Sequence, residues 1–193
     1  MKRFFKRIFK RLFILIFLFC CFCYCFKGVL YRSFVTYSEI NERQLVRIES
    51  QAIKDDLDIW LKTNPSADEQ QLIKFATQYA TKDVSYTFGK CSTNPNTIIC
   101  ETKKTNCVGY SASLHAVLVY LIDKKGWHDT LICAHKVAQL YCCGVNVNHF
   151  FRDPAFKDHD YNVVTNLKTK QQYVIDPTVY SYFGVESVRE KGK

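Results

Sequence analysis

The chain has 193 residues, 48% of them hydrophobic, enough for one folded domain and an appendage, and a formal charge of +9. Eight of its 27 lysines and arginines fall within residues 1–32, where there is no acid, so residues 33–193 carry 19 bases against 18 acids. A body so close to neutral argues against a nucleic-acid partner and assigns the charge to the N-terminus.

That N-terminus reads MKRFFKRIFKRLFILIFLFCCFCYCFKGVLYRSF. After a basic segment over 1–11, an apolar run begins at Leu12 and continues past Lys27 and Gly28 to Tyr31. A bilayer-spanning helix needs about 20 such residues, and Lys27 can snorkel to the surface. We therefore expect a transmembrane signal anchor over 12–31, and the preceding bases predict a cytoplasmic N-terminus. The rest of the chain would then lie outside the cytoplasm, in a periplasmic or extracellular space. A cleaved signal peptide is the rival reading, but no small-x-small site follows the run. A lipoprotein signal is disfavoured because Leu18 and Phe19 precede the first cysteines.

Of ten cysteines, Cys20, Cys21, Cys23 and Cys25 lie in the apolar run and act there as small hydrophobes. In an oxidising compartment Cys91 and Cys100 can close the loop KCSTNPNTIICE, while pairings among Cys133, Cys142 and Cys143 stay open. No C-x2-C pair stands beside a second one, so no zinc site and no other metal or cofactor is expected.

Over residues 33–65 the spacing of Ile40, Leu45, Ile48, Ala52, Leu57, Trp60 and Leu61 predicts a juxtamembrane amphipathic helix, broken at Asn64-Pro65. The folded domain is expected over 66–193. It opens with Ser66 and Glu69 as a capping box for a helix bearing Leu72, Ile73, Ala76, Tyr79 and Ala80. Residues 83–105 are polar and irregular. From Cys107, small residues Gly109, Ser111, Ala112 and Ser113 give way to AVLVYLI, apolar on all sides, which predicts a central helix buried between layers. After Gly126 the texture is that of strands: TLICAH, VAQLY, HDYNVVT and KQQYVIDP. Helices first and antiparallel strands afterwards give an α+β domain, with the central helix packed on an antiparallel sheet.

The last two strands permit a geometric argument. If Asn166 to Thr169 form a four-residue turn, His159 faces Asp176, and direct cross-strand neighbours have Cβ atoms about 5 Å apart. That proximity lets a carboxylate hold an imidazole, provided the register does not slip by one residue. Cys107 would sit two residues after a helix cap at Thr105, where free backbone N–H groups point forward. A helix N-terminus and an imidazolium both favour the thiolate, which is the nucleophile. His159 would take the thiol proton, Asp176 would fix the imidazole tautomer, and the Cys107 N–H would offer one arm of an oxyanion hole.

Cys107 at the head of an apolar helix, HDYNVV about fifty residues later, and YVIDPTVY after it together resemble the transglutaminase-like superfamily of papain-type cysteine enzymes. LIKFATQYATKDVSYTF resembles the helix and aromatic turn ahead of that family's cysteine, so the likeness covers roughly residues 70–180. Two positions depart from the pattern: Tyr161 stands where Trp is commoner, and Asn106 where a small residue is frequent. The resemblance implies a Cys107–His159–Asp176 triad and a reaction at amide bonds through a Cys thioester. The family also holds acyl transferases and inactive members.

Other residues receive plainer readings. Tyr86 is a candidate for lining the site or donating to an oxyanion. His149 and Asp153 read as loop residues, His115 as a core histidine, His128 and His135 as surface or strand positions, and Asn162 as structural. The expected function is a membrane-anchored thiol enzyme acting on a protein or peptide substrate, with hydrolysis favoured slightly over transfer because no acyl-acceptor site is visible. The alternatives are a non-catalytic peptide- or protein-binding domain on the same fold, and a cysteine-rich structural protein with Cys107 in a disulfide. Oligomers through the 33–65 segment remain open.

Overall fold

Two helices come first. The computed structural model describes residues 2–191, and the side chains of 9–191. α1 (Lys2–Cys25) is followed by α2 (Lys27–Phe34), and the axis bends by 76° between Phe9–Cys25 and Lys27–Phe34. No single helix among the described residues is long and apolar enough to cross a membrane; only this bent pair together meets that measure. The single helix expected over 12–31 is thus two helices. Phe26 leaves helical geometry at φ −102°, ψ 14°, and α2 turns onto the domain. There Arg32 Nη1 donates to Ser187 Oγ at 3.1 Å, and the Tyr31 and Tyr37 hydroxyls bond at 2.7 Å.

The next segment corrects the expectation of a helix over 33–65. Residues Val35–Arg43 form a strand, β1, and the helix starts only at α3 (Gln51–Thr63). Seven apolar residues at near-helical spacing suggested otherwise, but Val35, Thr36 and Tyr37 fit a pleated surface, and the partner strand decides. β1 pairs antiparallel with a later strand from Val35↔Cys142 to Arg43↔His135, with a bulge between Glu39 and Asn41. The segment is therefore part of the domain, with Tyr37, Ile53 and Leu57 in its core.

α4 (Glu69–Thr81) begins two residues away from the expected cap. Its N-cap is Asp68, which accepts from the Gln71 N–H at 2.8 Å while the Gln71 side chain accepts from the Asp68 N–H at 3.0 Å. Then come β2 (Ser85–Tyr86), a helical turn α5 (Pro95–Thr97), a π-turn over Ile98–Thr102, β3 (Lys104–Thr105) and the central helix α6 (Cys107–Lys124). β2 and β3 pair in parallel. β4 (Leu131–Cys142), β5 (Val145–Asn146), β6 (His159–Asn166), β7 (Gln172–Ile175) and α7 (Pro177–Phe183) complete the chain.

The main sheet has the order β1-β4-β6-β7, all antiparallel, with β5 paired to the end of β4. An α+β domain with an antiparallel sheet is thus what forms. α6 lies between layers: Leu114, Val117, Leu118 and Leu121 pack with Ile53, Leu57, Leu72 and Ala76 of α3 and α4, and with Val164 and Ile175 of the sheet. This explains why AVLVYLI is apolar on all sides. The opposite sheet face buries Tyr37, Ala138, Tyr161 and Val163 under Val179, Val185 and Val188. There the Tyr161 hydroxyl donates to buried Glu190 at 2.7 Å.

The β6–β7 register differs by two from the expected one. Val163 faces Val174 rather than Gln172, because the turn starts one residue later. Asn166 Oδ1 accepts the Lys168 and Thr169 N–H groups at 3.0 Å each, and Lys170 takes a left-handed φ of 62°. An even shift leaves every side chain on its expected face.

Candidate active site

Cys107 is the first residue of α6 and is 5% exposed. The cap is Asn106, not Thr105: Asn106 Oδ1 accepts the Gly109 N–H at 3.3 Å. Thr105 is buried in β3, and its hydroxyl donates to the Ser92 carbonyl at 2.8 Å. Gly109 permits this close seating. A Cβ there would lie 1.8 Å from Thr105 Oγ1 and 2.8 Å from Ile98 Cδ1, both impossible contacts. The first turn of α6 is thus clamped to β3, which fixes where the thiol stands.

β2 runs beside β3, with Tyr86 opposite Thr105, and this brings the Tyr86 phenol against both the thiol and the backbone N–H of Cys107. Burial, then the negative charge of a Cys107 thiolate, pushes Tyr86 up to about 12, so its hydroxyl keeps its proton at neutral pH. A second bond, from the Tyr86 N–H to the Tyr182 hydroxyl at 2.7 Å, ties this loop to α7.

His159 opens β6, and its Nε2–H donates to Asp176 Oδ2 at 2.6 Å. The expected contact forms, though diagonally across the strands rather than directly. Cys107 also acts on the ring, both as a hydrogen-bond partner and as a charge. Burial alone would lower the His159 pKa. The charge and hydrogen bond of Asp176, joined by Cys107, outweigh it and hold the imidazolium well above its ordinary range. The ring is 16% exposed and Asp176 not at all.

Asp176 does two jobs. Its Oδ1 caps α7, accepting the Thr178 and Val179 N–H groups at 2.9 and 3.0 Å, with Pro177 at the first helical position. Its Oδ2 receives His159 and also the Tyr37 hydroxyl, at 2.6 Å. Burial would raise the Asp176 pKa, but His159, Tyr37 and the α7 amides together bring it below the usual carboxylate range. Tyr37 is a member of the site that the sequence reading placed in the 33–65 helix. The only signal for it was the β-type triplet Val35-Thr36-Tyr37.

A second histidine–aspartate pair lies on the α6 face of the sheet. His135 is a strand residue, on β4, but a buried one rather than a surface one. His135 Nε2 meets Asp160 Oδ2 at 2.7 Å with both side chains buried, and Arg43 grips the same carboxylate through Nε and, at 3.1 Å, Nη2. Arg43 and Asp160 had not been singled out. Arg43 also lies within electrostatic range of the Cys107 sulfur. Beside it a cavity of about 380 Å³ is lined by Arg43, Thr93, Val108, Ala112 and His135, next to the first turns of α6.

The remaining positions fall into place. His115 is a core histidine: Nε2 meets the Cys133 carbonyl at 3.0 Å, and burial, then the His135 charge, lowers it to about 4. Asn162 Nδ2 donates to the Ser111 carbonyl at 3.1 Å, tying β6 to α6. Asp153 accepts the Ala155 N–H at 2.9 Å at the start of a short 3-10 turn, and the His149 ring meets Phe150 edge-on. His128 is exposed beside Asp129. The cross-link considered between Cys91 and Cys100 does not form. Cys91 Sγ lies 4.0 Å from Thr105 Oγ1 and Cys100 Sγ 3.3 Å from Ser50 Oγ, and every described cysteine is a free thiol. No cluster of three or more metal-ligating side chains occurs among the described residues.

No family model matches the chain, and no curated protein or solved structure matches it significantly. The site's chemistry therefore rests on its own geometry.

Proposed function

We propose that the chain is a membrane-anchored, transglutaminase-like cysteine enzyme that opens amide bonds through a thioester. The observation that carries this is one arrangement. A thiol at the first residue of a buried helix interacts with an imidazole, which is held by a buried carboxylate with three further anchors. Helix head, base and orienter are what nucleophilic thiol catalysis needs.

Cys107 gives its proton to His159, and Sγ attacks the amide carbonyl carbon. The oxyanion receives the Cys107 N–H and, once the Tyr86 hydroxyl turns toward it, a second donor. The C–N bond breaks, the amine leaves with the proton from His159, and a thioester remains. Water, deprotonated by His159, attacks that thioester; the C–S bond breaks, the acid departs, and the proton returns to sulfur. An amine in place of water would give acyl transfer, but no acceptor site stands out, and hydrolysis is the simpler outcome. What supports the anchor is the apolar surface of the N-terminal segment: Phe9, Phe13, Leu15, Phe17, Phe19, Phe22 and Phe26 are all exposed, and the basic start favours a cytoplasmic N-terminus.

The test is alkylation of Cys107 by iodoacetamide in the full chain, followed at that residue by peptide mass spectrometry. At pH 6.5 we expect labelling at least about tenfold faster than for free cysteine, and loss of that advantage in His159→Ala. Labelling no faster than free cysteine, or insensitive to His159, sinks the proposal. Once a substrate is found, Cys107→Ala must abolish turnover with the fold intact.

A further inference from the structure

Four aromatic rings lead outward from the thiol in one row. Tyr86, in contact with Cys107, packs on Phe88 at 5.0 Å between ring centres; Phe88 meets Phe156 at 5.5 Å, and Phe156 meets Phe151 at 5.1 Å. Phe88 is 75% exposed, and Phe150, beside Phe151 in the chain, is 72% exposed. None of the four phenylalanines belongs to a core cluster. Single exposed apolar side chains are ordinary, but a contiguous row marks a binding surface. Covering the rings would remove apolar surface from water, so the row suits an apolar ligand.

Its position says which ligand. The row is built from two separate segments, the loop after β2 and the turns before β6. One ends at the residue against Cys107, and the other carries Phe156 three positions before His159. The row therefore starts against the nucleophile, and its second segment leads into the strand that carries the base. A chain whose amide lies at Cys107 lies beside the start of the row.

We infer that this row selects the substrate: peptides carrying large apolar or aromatic side chains next to the amide that Cys107 attacks. Flat rings accept such side chains by edge-to-face and offset contacts, and offer nothing to polar ones. The inference rests on Cys107 acting as the nucleophile.

It is tested in the full chain, in detergent micelles, with two alkylating peptides that share one electrophile: N-iodoacetyl-Phe-Phe amide and N-iodoacetyl-Gly-Gly amide. Sγ displaces iodide in both, and each Cys107 rate is divided by the iodoacetamide rate of the same protein. The Phe-Phe probe should react about tenfold faster than the Gly-Gly probe, and Phe88→Ser with Phe156→Ser should bring the two within about twofold. Equal rates in the unaltered chain, with fast and His159-dependent iodoacetamide labelling, overturn this inference and leave the proposed function standing. Slow iodoacetamide labelling overturns both. A lipid-facing role is the other way to lose it: strong quenching of Phe88→Trp emission by brominated lipid in nanodiscs, beyond that of the parent chain, would seat the row in the bilayer.

Discussion

β6 carries two acid–base pairs that begin at neighbouring residues and end on opposite faces. His159 meets Asp176 at 2.6 Å on one face, and Asp160 meets His135 at 2.7 Å on the other. The bonds are nearly identical and the surroundings are not. His159 faces a thiol and is partly open to solvent, whereas His135 is 2% exposed and shares its carboxylate with Arg43. The carboxylates differ as well: Asp160 is neutralised by a cation, while Asp176 is held by a phenol and two backbone amides. A histidine–carboxylate bond alone does not single out a base. On the proposed reading, the thiol beside His159 does.

The comparison breaks most severely at Asp160. Asp160→Ala leaves buried His135 and Arg43 without their counter-charge, and we expect a loss of about 3 kcal/mol in urea unfolding. That is the low end of the range for a broken buried pair, because the Arg43 side chain is 39% exposed. His159→Ala should instead slow Cys107 alkylation at neutral pH about a hundredfold, while His135→Ala changes it less than about threefold per folded molecule. Comparable losses from the two histidines would erase the distinction between the faces.

Tyr37→Phe tests the support of Asp176. It removes one hydrogen bond to a buried carboxylate, at a cost of about 1–3 kcal/mol by thermal unfolding, and should shift the acid loss of stability toward neutral pH. The sign follows from the pair. Asp176 is held below its ordinary value of about 3.9, so its contribution is present above that pH and fades as pH falls through the lowered value. His159 is held above about 6.5, so its contribution is full below that pH and fades as pH rises through the raised value. Asp176→Asn should flatten the stability curve at both edges; an unchanged pH dependence would argue that the pair does not form. The smallest expected effect is Asn106→Ala, about 1 kcal/mol for a lost helix cap, read by thermal unfolding.

How much of this was legible in the sequence depended on sequence distance. The grouping of Cys107, His159 and Asp176 is legible because a helix head and a hairpin are local features. The hairpin register differs by two from the expected one, and His159 and Asp176 still meet, since a shift of two preserves the face. Tyr37 is hidden because its bond to Asp176 spans 139 positions, and because Ser38-Glu39-Ile40-Asn41-Glu42-Arg43 reads as part of an amphipathic helix. Pairing with β4 overrode that local preference. Asp160 was overlooked for a related reason: its partners Arg43 and His135 lie on two other strands.

The seating of α2 has a consequence for reach. A flexible tether lets an enzyme sweep a volume that grows with linker length. Here the last residues of the apolar segment are bonded to the domain itself, through Tyr31 and Arg32. If the bent pair is the anchor, as proposed, there is no slack between it and the cleft. On that reading the thiol is held at one fixed height above the lipid, and a substrate has to present its amide at that height.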